Sequence, residues 1–438
     1  MRGVRPVYDF SPSKSTMAYD NIKHIAFRDS YGAADKNYYY QLRWNLHDID
    51  EETPTVGMLL EKAYNKAGQD TPERRALRDK LYAMFHLDGL LDKYIIYLSS
   101  GELRKFHLTK ELLAGPRVLI MENPFIGLDA NARQQLKDLL EELTRSSQIM
   151  VILALSKIDD IPSTMTHVIE IEDMEVKEMQ TLNQFKESHN FFPDHVLSKE
   201  KAEAIIALPE NENTYDSHDI ISFNDVCIRY GSRTILKGLN WKVTNGQRWA
   251  LSGENGAGKS TLLSLVCADN PQSYACDISL FGKKRGTGES IWEIKKHIGY
   301  VSPEMHRAFM KDIPVIEVVA SGFSDKQGLY VKAKEENMKS CEFWLRTFGI
   351  EHLKDRTFLK ISSGEQRLCL LARAFVKDPE LLILDEPLHG LDMYNRRMVK
   401  DIIEAFCKRS GKTLIIVTHY KEELPDVITD SLYLKKNV

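Results

Sequence analysis

The 438-residue chain lacks paired cysteines, a long apolar run and an apolar N-terminal segment. No two of its six cysteines stand at C-x-x-C spacing, so disulfides and a zinc site are not expected and the thiols are predicted to be free in a reducing compartment. No apolar run approaches the roughly 20 residues that span a bilayer. The first 16 residues have no signal-peptide core. We therefore expect a cytoplasmic protein that does not itself span a membrane.

The chain also lacks a large excess of either positive or negative charge. Lysine and arginine number 59 and acidic residues 63, which leaves a formal net charge of -4. This balance argues against a protein that coats nucleic acid without sequence preference, and no nucleic-acid partner is expected. A short basic run, Lys283-Lys284-Arg285, lies in a glycine-flanked turn and is predicted to be a solvated hairpin tip.

The chain does contain a long-period repeat. Five segments of the first half recur in the same order in the second, namely 23–27 with 296–300, 98–104 with 361–367, 118–124 with 381–387, 127–129 with 390–392, and 151–156 with 414–419. In both halves, short β-branched apolar runs alternate with helical stretches, which is typical of a parallel α/β sheet covered on both faces. We predict two related domains, residues 1–177 and 218–438, joined by a polar linker at 178–217.

The second half contains one complete phosphate-binding loop, with the pattern G-x-x-x-x-G-K-[ST] between a predicted strand and a predicted helix. Backbone N–H groups of such a loop surround nucleotide phosphates. Lys259 is expected to reach the β- and γ-phosphate oxygens and to act in catalysis, and Ser260 to offer its hydroxyl to Mg²⁺. The predicted nucleotide-binding residues of this loop are Gly253, Glu254, Asn255, Gly256, Ala257, Gly258, Lys259, Ser260 and Thr261.

An acidic pair follows four hydrophobic residues in the same half. Asp385 is predicted to hold Mg²⁺ through water, and Glu386 to orient and deprotonate an attacking water. The alternative is a strand-end Asp-Glu that forms surface ion pairs, which the upstream phosphate loop disfavours. His419 ends the next apolar strand, where an imidazole can contact the γ-phosphate, although a lone histidine there is more often structural.

These motifs together resemble the ATP-binding cassette ATPases, over nearly the whole chain. The resemblance implies tandem P-loop cassettes, each with a RecA-like parallel sheet and a helical signature subdomain, and it implies ATP as the nucleotide. It implies that Tyr230 stacks on adenine, and that Ile361–Glu365 is the signature motif, with Ser363 in place of the usual first glycine. One departure is Glu304, since the family has glutamine after the corresponding strand; Glu304 can still ligate through water.

The first half is predicted to be a damaged copy. Its acidic pair is Glu122-Asn123, and Ser156 stands where the second copy has His419. Asn123 cannot act as a base. The phosphate loop is missing, because the repeat spacing would place it before Met1, so this cassette is expected to be incomplete at its N-terminus. Either the chain is short at its N-terminus, or another structure stabilises the first domain.

The signature of the first copy is nonetheless whole. Cassette pairs form head-to-tail sandwiches, and this resemblance implies that the phosphate loop faces a composite site completed by Ser99, Ser100, Gly101 and Glu102. Two alternatives remain. The first-copy segment is merely a helix cap, or two second halves of separate chains form a homodimer that uses Ser362 and Gly364.

The subfamily it resembles most is the tandem cassette proteins of the ModF or photorepair type, linked by name to molybdate transport. The segments that carry this are 31–35, 38–44 and the twin Ser-Ser-Gly-Glu signatures. The implied function is an Mg²⁺-dependent ATPase that energises a membrane importer from its inner face through a permease subunit. Rival functions are a soluble cassette protein acting on ribosomes or in DNA repair, and an idle regulatory binder, which the intact Asp385-Glu386 pair disfavours.

Overall fold

The computed structural model describes residues 18–25, 54–98, 100–125, 128, 130–146, 149–156, 158–172, 174–188, 195–209, 215, 217–231, 233–254, 256–324, 335–418 and 420–436. These residues divide into two compact units. The first unit holds the described residues up to 188, and the second holds those from 195 onward. Each of the six cysteines is a free thiol, as predicted.

The first unit has a parallel sheet of three strands in the order β1-β2-β3. Its elements are α1 (Ala18–Asn21), β1 (Ile22–Ile25), α2 (Val56–Lys66), α3 (Pro72–Phe85), α4 (Ser100–Leu113), β2 (Val118–Glu122), α5 (Ala130–Ser146), β3 (Met150–Ala154), β4 (His167–Val168), β5 (Ile171–Glu172), β6 (Glu175–Val176), β7 (Gln180–Thr181) and α6 (Leu182–Ser188).

Helices α2 and α3 begin at threonine caps. The Thr55 hydroxyl accepts from the amide of Met58, and the Thr71 hydroxyl accepts from that of Arg74, both at 3.3 Å. Helix α3 carries proline at its first position and ends at His86, whose φ is 52°. Both helices pack against α4, and this places the N-terminus of α4 on a fixed support.

The register of β1 differs from the one implied by the repeat. The match of 23–27 with 296–300 places Ile25 opposite Val118, by analogy with Ile298 opposite Leu381, but the structure pairs Ile22 with Val118. The strand is only four residues long and has isoleucine at both ends. Its hydrophobic pattern therefore discriminates weakly between registers.

Strand β3 ends the sheet of the first unit, and no further strand is assigned beside it in the described part of the chain. Met150 is 62% exposed and Ile152 45% exposed. The matching strand of the second unit is buried at all five positions. An apolar strand at a sheet edge is costly in water. The first unit exposes part of this strand, whereas the matching strand is buried within the second unit.

The second unit combines a parallel and an antiparallel sheet. The parallel sheet has the order β13-β14-β15-β10-β16 and the other the order β12-β11-β8-β9. The elements are α7 (Lys199–Ile206), β8 (Asp219–Tyr230), β9 (Arg233–Thr244), β10 (Arg248–Gly253), α8 (Lys259–Val266), β11 (Asp277–Leu280), β12 (Lys283–Lys284), α9 (Ile291–Lys295), β13 (Ile298–Val301), α10 (Pro303–Ala308), α11 (Val315–Ala320), α12 (Glu335–Thr347), α13 (Ser363–Phe375), β14 (Leu381–Asp385), α14 (Met393–Cys407), β15 (Thr413–Val417) and β16 (Asp430–Leu434).

Strand β14 explains why a continuous apolar run is required at the centre of this unit. Leu381 and Ile383 pack into a cluster shared with α8 and the antiparallel sheet. Leu382 and Leu384 point the other way, into a cluster shared with α11 to α14. A strand buried on both faces carries hydrophobic residues at every position, and the predicted α/β layering is confirmed.

Part of the predicted linker is folded against the second unit. Asp401 of α14 accepts hydrogen bonds from the amides of Val196 at 2.8 Å and Leu197 at 2.9 Å. Helix α7 then begins at the Ser198 cap and buries Ile205 in the core. Residues 195–206 therefore form part of this unit, and the exact domain boundaries stay a prediction.

Candidate functional site

Strand β10 and helix α8 position the phosphate loop. Strand β10 lies between β15 and β16, so its carboxyl end opens between the ends of these two strands. Gly253 ends the strand with a φ of 149°, and a Cβ there would lie 2.4 Å from the carbonyl oxygen of Leu434. Gly258 caps α8 with a φ of 99°. Glycine is required at both positions, which is why the motif is readable in the sequence.

Lys259 closes the loop on itself. Its Nζ donates to the carbonyl oxygens of Gly253 at 2.7 Å and Glu254 at 3.1 Å. An ammonium group has three donors and no acceptor, so it can exchange these carbonyls for phosphate oxygens. Ser260 follows it at the exposed start of α8, and Thr261 is buried.

The acidic pair lies at the end of β14, and β15 lies between β14 and β10 in the sheet. Asp385 is 8% exposed. Glu386 has a φ of 52°, in the left-handed region that glutamate seldom adopts, and its amide donates to the carbonyl of Val417 at 2.8 Å. Glu386 therefore has a strained backbone that a hydrogen bond to β15 holds in place.

The charges around Asp385 suit a divalent cation. Burial raises the pKa of Asp385 well above its usual range, and the nearby carboxylates of Glu304 and Glu386 add to the rise. Lys259 and Arg367 oppose it. Carboxylate and hydroxyl oxygens are the ligands that Mg²⁺ prefers, so Asp385 and Ser260 fit such an ion, whose charge would favour the ionised form of Asp385.

Glu304 belongs to this group of carboxylates, although the resembled family has glutamine there. It lies in the first turn of α10, which begins at the Ser302 cap. Arg307 Nη2 lies 3.9 Å from Glu304 Oε1. The site thus carries one more negative charge than a glutamine would give it.

Tyr230 ends β8, and its hydroxyl accepts a hydrogen bond from Asn270 Nδ2 at 2.9 Å. The ring is partly buried against the core of the second unit. A fixed, half-exposed aromatic ring is suited to stacking on a base, and the adenine contact stays a prediction.

The signature of the second copy forms a capping box. Ser362 Oγ accepts from the amide of Glu365 at 3.3 Å, and Glu365 accepts from the amide of Ser362 at 2.7 Å. In the first copy, α4 begins at Ser100, and Glu102 accepts from Lys93 Nζ at 2.9 Å. Both signatures therefore stand at the N-terminus of a helix of more than three turns.

In the first copy, Glu122 and Asn123 stand where the second copy has its acidic pair, and both form hydrogen bonds within the first unit. Asn123 keeps the left-handed backbone, with a φ of 44°, and its Oδ1 accepts from both the amide and the hydroxyl of Ser156 at 2.9 Å. Glu122 lies 2.8 Å from His24 Nε2. The Asn123–Ser156 pair preserves the turn of the second copy without a carboxylate that can accept a proton.

Three predicted site residues, Ser99, Asn255 and His419, lie outside the described residues, as do the side chain of Ser100, the segments 31–35 and 38–44, and the surroundings of Gly101. The structure brings Lys259, Asp385, Glu386 and Glu304 together. It adds two groups that the sequence analysis missed. Arg367 Nη2 donates to the carbonyl of Glu386 at 2.5 Å, and His389 Nδ1 lies 3.9 Å from Glu386 Oε2.

Comparison with known proteins decides the family. A family model described as ABC transporter matches residues 236–389. The ABC transporter ATP-binding protein ModF of Escherichia coli (strain K12) is 38% identical over 363 residues, which are 81% of this chain and 73% of that protein. The chain belongs to the ATP-binding cassette family. An uncharacterized cassette ATP-binding protein of Schizosaccharomyces pombe is 31% identical and is matched over 83% of its length, by 95% of this chain. The predicted family is confirmed.

Solved structures support the cassette fold. A chain from the complex of archaeal ribosomal stalk protein aP1 with archaeal ribosome recycling factor aABCE1 has a TM-score of 0.51 and 18% identity, over 86% of this chain and 68% of that one. At such identity the likeness concerns the fold alone. Among the described residues, no helix is both long and apolar enough to cross a lipid bilayer.

Proposed function

We propose that the chain hydrolyses ATP with Mg²⁺ at one site, in the second cassette. The observation that carries this proposal is the placement of the phosphate loop and the Asp385-Glu386 pair at carboxyl ends of the same parallel sheet. In the first cassette the corresponding Asn123 is tied to Ser156 instead. Two copies of one fold thus have different chemical capacities.

The residues of the second cassette have separate roles in this proposal. The loop amides and Lys259 bind the phosphates of ATP, and Tyr230 stacks on its adenine. Asp385 and Ser260 would hold Mg²⁺, which would shield the phosphate charges. Glu386 accepts a proton from the attacking water, and His419 contacts the γ-phosphate. The assignment of His419 follows from the sequence motif alone, and the other assignments follow from the motifs together with the positions described above.

We also propose that the first cassette completes this site through Ser99, Ser100, Gly101 and Glu102. A bulky side chain at the first signature, Gly101→Trp, should then lower ATP hydrolysis about tenfold or more, because the helix N-terminus can no longer approach the γ-phosphate. The matched variant Gly364→Trp should have a much smaller effect. A Cβ at Gly364 meets its nearest atoms at 3.8 Å, so that position tolerates a side chain at its base.

Steady-state phosphate release by the two purified variants distinguishes the arrangements, with thermal unfolding as the check that both are folded. If Gly364→Trp is the damaging change and Gly101→Trp is neutral, the competent site is shared between the second cassettes of two chains. That result would replace the intramolecular site with a homodimer.

We further propose that ATP hydrolysis energises a membrane importer, and that a permease holds the chain at the inner face of the membrane. Its support is the name of the Escherichia coli relative, an ABC transporter ATP-binding protein. A second relative, matched over 46% of this chain, is the zinc uptake system ATP-binding protein ZurA of Listeria monocytogenes. Molybdate as the cargo rests on the sequence resemblance alone.

A tagged chain recovered from detergent-solubilised membranes should bring with it a polytopic membrane protein, identified by mass spectrometry against an untagged control. The variant Glu386→Gln should increase this recovery if ATP-bound cassettes hold the permease. Enrichment of ribosomal or DNA-repair proteins, with no membrane protein, would contradict the transport proposal and favour a soluble cassette protein.

A further inference from the structure

Arg367 is a buried arginine in the signature helix α13, and the motifs of the site do not account for it. Its residue exposure is 2%. Its Nη2 donates to the backbone carbonyl of Glu386 at 2.5 Å, and its Nε has no hydrogen-bond partner among the described residues. A guanidinium is seldom buried to this extent unless negative charges surround it.

The bond from Arg367 holds one side of a strained peptide. Glu386 is in the left-handed region, with a φ of 52°, and persists there only because its surroundings fix it. Its amide is held by the carbonyl of Val417 on β15, at 2.8 Å. Its carbonyl is held by Arg367 on α13. The sheet and the signature helix therefore fix the direction of the Glu386 side chain together.

The same arginine faces the carboxylates of the site. Burial lowers the pKa of Arg367 to about 10, while Glu386, Asp385 and Glu304 act in the opposite sense, so the guanidinium stays charged at neutral pH.

We propose that Arg367 is a positioning residue that fixes Glu386 from the signature helix. The expected effect on turnover rests on the proposed hydrolysis at this site, whereas the fixed Glu386 peptide is a property of the folded protein without nucleotide.

The test compares Arg367→Gln with Arg248→Gln in the full chain. Arg248→Gln is a matched control, because Arg248 Nη2 also donates to a backbone carbonyl, that of Cys407 at 2.6 Å, and its Nε also has no partner in the described part. Arg248 begins β10, at the end of the strand away from the phosphate loop. Each variant is measured for kcat, for the Kd of ATP and for its melting temperature.

We expect Arg367→Gln to lower kcat about tenfold or more while the Kd of ATP changes by less than about threefold. Arg248→Gln should lower the melting temperature without a comparable loss of kcat. Arg367→Gln should also lower the melting temperature, because the buried carbonyl of Glu386 loses its donor. If Arg367→Gln does not fold, Arg367→Lys keeps the charge but not the forked donor geometry, and should lower kcat with the melting temperature nearly unchanged.

Two results would overturn the inference. A kcat for Arg367→Gln or Arg367→Lys no lower than that of the Arg248 control removes the positioning role. A wild-type chain without ATPase activity refutes the proposed function instead, and an unchanged melting temperature in Arg367→Gln then removes the role of Arg367 in fixing the Glu386 peptide.

Discussion

Replacing Lys259 with alanine should abolish ATP hydrolysis by the purified chain and weaken ATP binding by about 10²-fold or more. Lys259 is the one cation that the phosphate loop supplies, and its Nζ donates to two carbonyls of its own loop. Alanine leaves the β- and γ-phosphates without that charge-assisted contact. Titration with a fluorescent ATP analogue and an assay of phosphate release measure the two effects separately.

A surface lysine provides the control for this change. Lys284 lies in the antiparallel sheet and pairs with Asp277 at 2.9 Å, with both side chains about half exposed. Lys284→Ala should leave turnover unchanged, because exposed ion pairs contribute little to stability or to a distant site. Substantial ATPase activity in pure Lys259→Ala would contradict the single-site proposal, since the turnover would have to come from outside the second cassette.

The parts of the site that depend on local sequence could be predicted. The phosphate loop is recognisable because Gly253 and Gly258 must adopt backbone conformations that other residues avoid. The acidic pair is recognisable because the strand before it is buried on both faces and therefore wholly apolar. Both signals are contained within about ten residues, and so a single sequence reveals them.

The parts that depend on tertiary packing could not. Arg367 reaches a carbonyl 19 positions away in the sequence, and only the packing of α13 on β14 sets that distance. Arg285 was expected in a solvated hairpin tip, and this is wrong. Lys283 and Lys284 are exposed, but Arg285 is buried, pairs with Glu289 and lies over the Tyr274 ring at 4.5 Å. A basic run shows its charge in the sequence but not the partner of each residue.

The folded part of the predicted linker shows the same limit. Its polar composition indicated a linker between two domains, yet Asp401 holds Val196 and Leu197 from more than 200 positions away. A buried carboxylate that accepts backbone amides stabilises a chain segment whatever the composition of that segment. A polar composition therefore indicates that a segment has no hydrophobic core of its own, but it does not show that the segment is exposed to solvent.

Glu386→Gln should bind ATP as the wild type does, and its rate of ATP hydrolysis should fall by about 10²-fold or more. The amide has the size and shape of the carboxylate but cannot accept a proton from water. Binding is expected to survive because the phosphate loop and Lys259 are untouched. Single-turnover phosphate release with saturating ATP measures the chemical step, and equilibrium titration measures the Kd.

The first cassette shows that an amide is compatible with this turn. Asn123 occupies the matching position with a φ of 44° and the same amide bond to the neighbouring strand, Asn123 to Ala154 at 2.8 Å and Glu386 to Val417 at 2.8 Å. Glu386→Gln should therefore fold, so that lost turnover reports chemistry. Glu342→Gln, which removes a carboxylate paired with Lys354 at 3.2 Å, is the control for a surface change. Turnover of Glu386→Gln near the wild-type rate would mean that another group removes the proton, and Glu386 would then lose its role as the base.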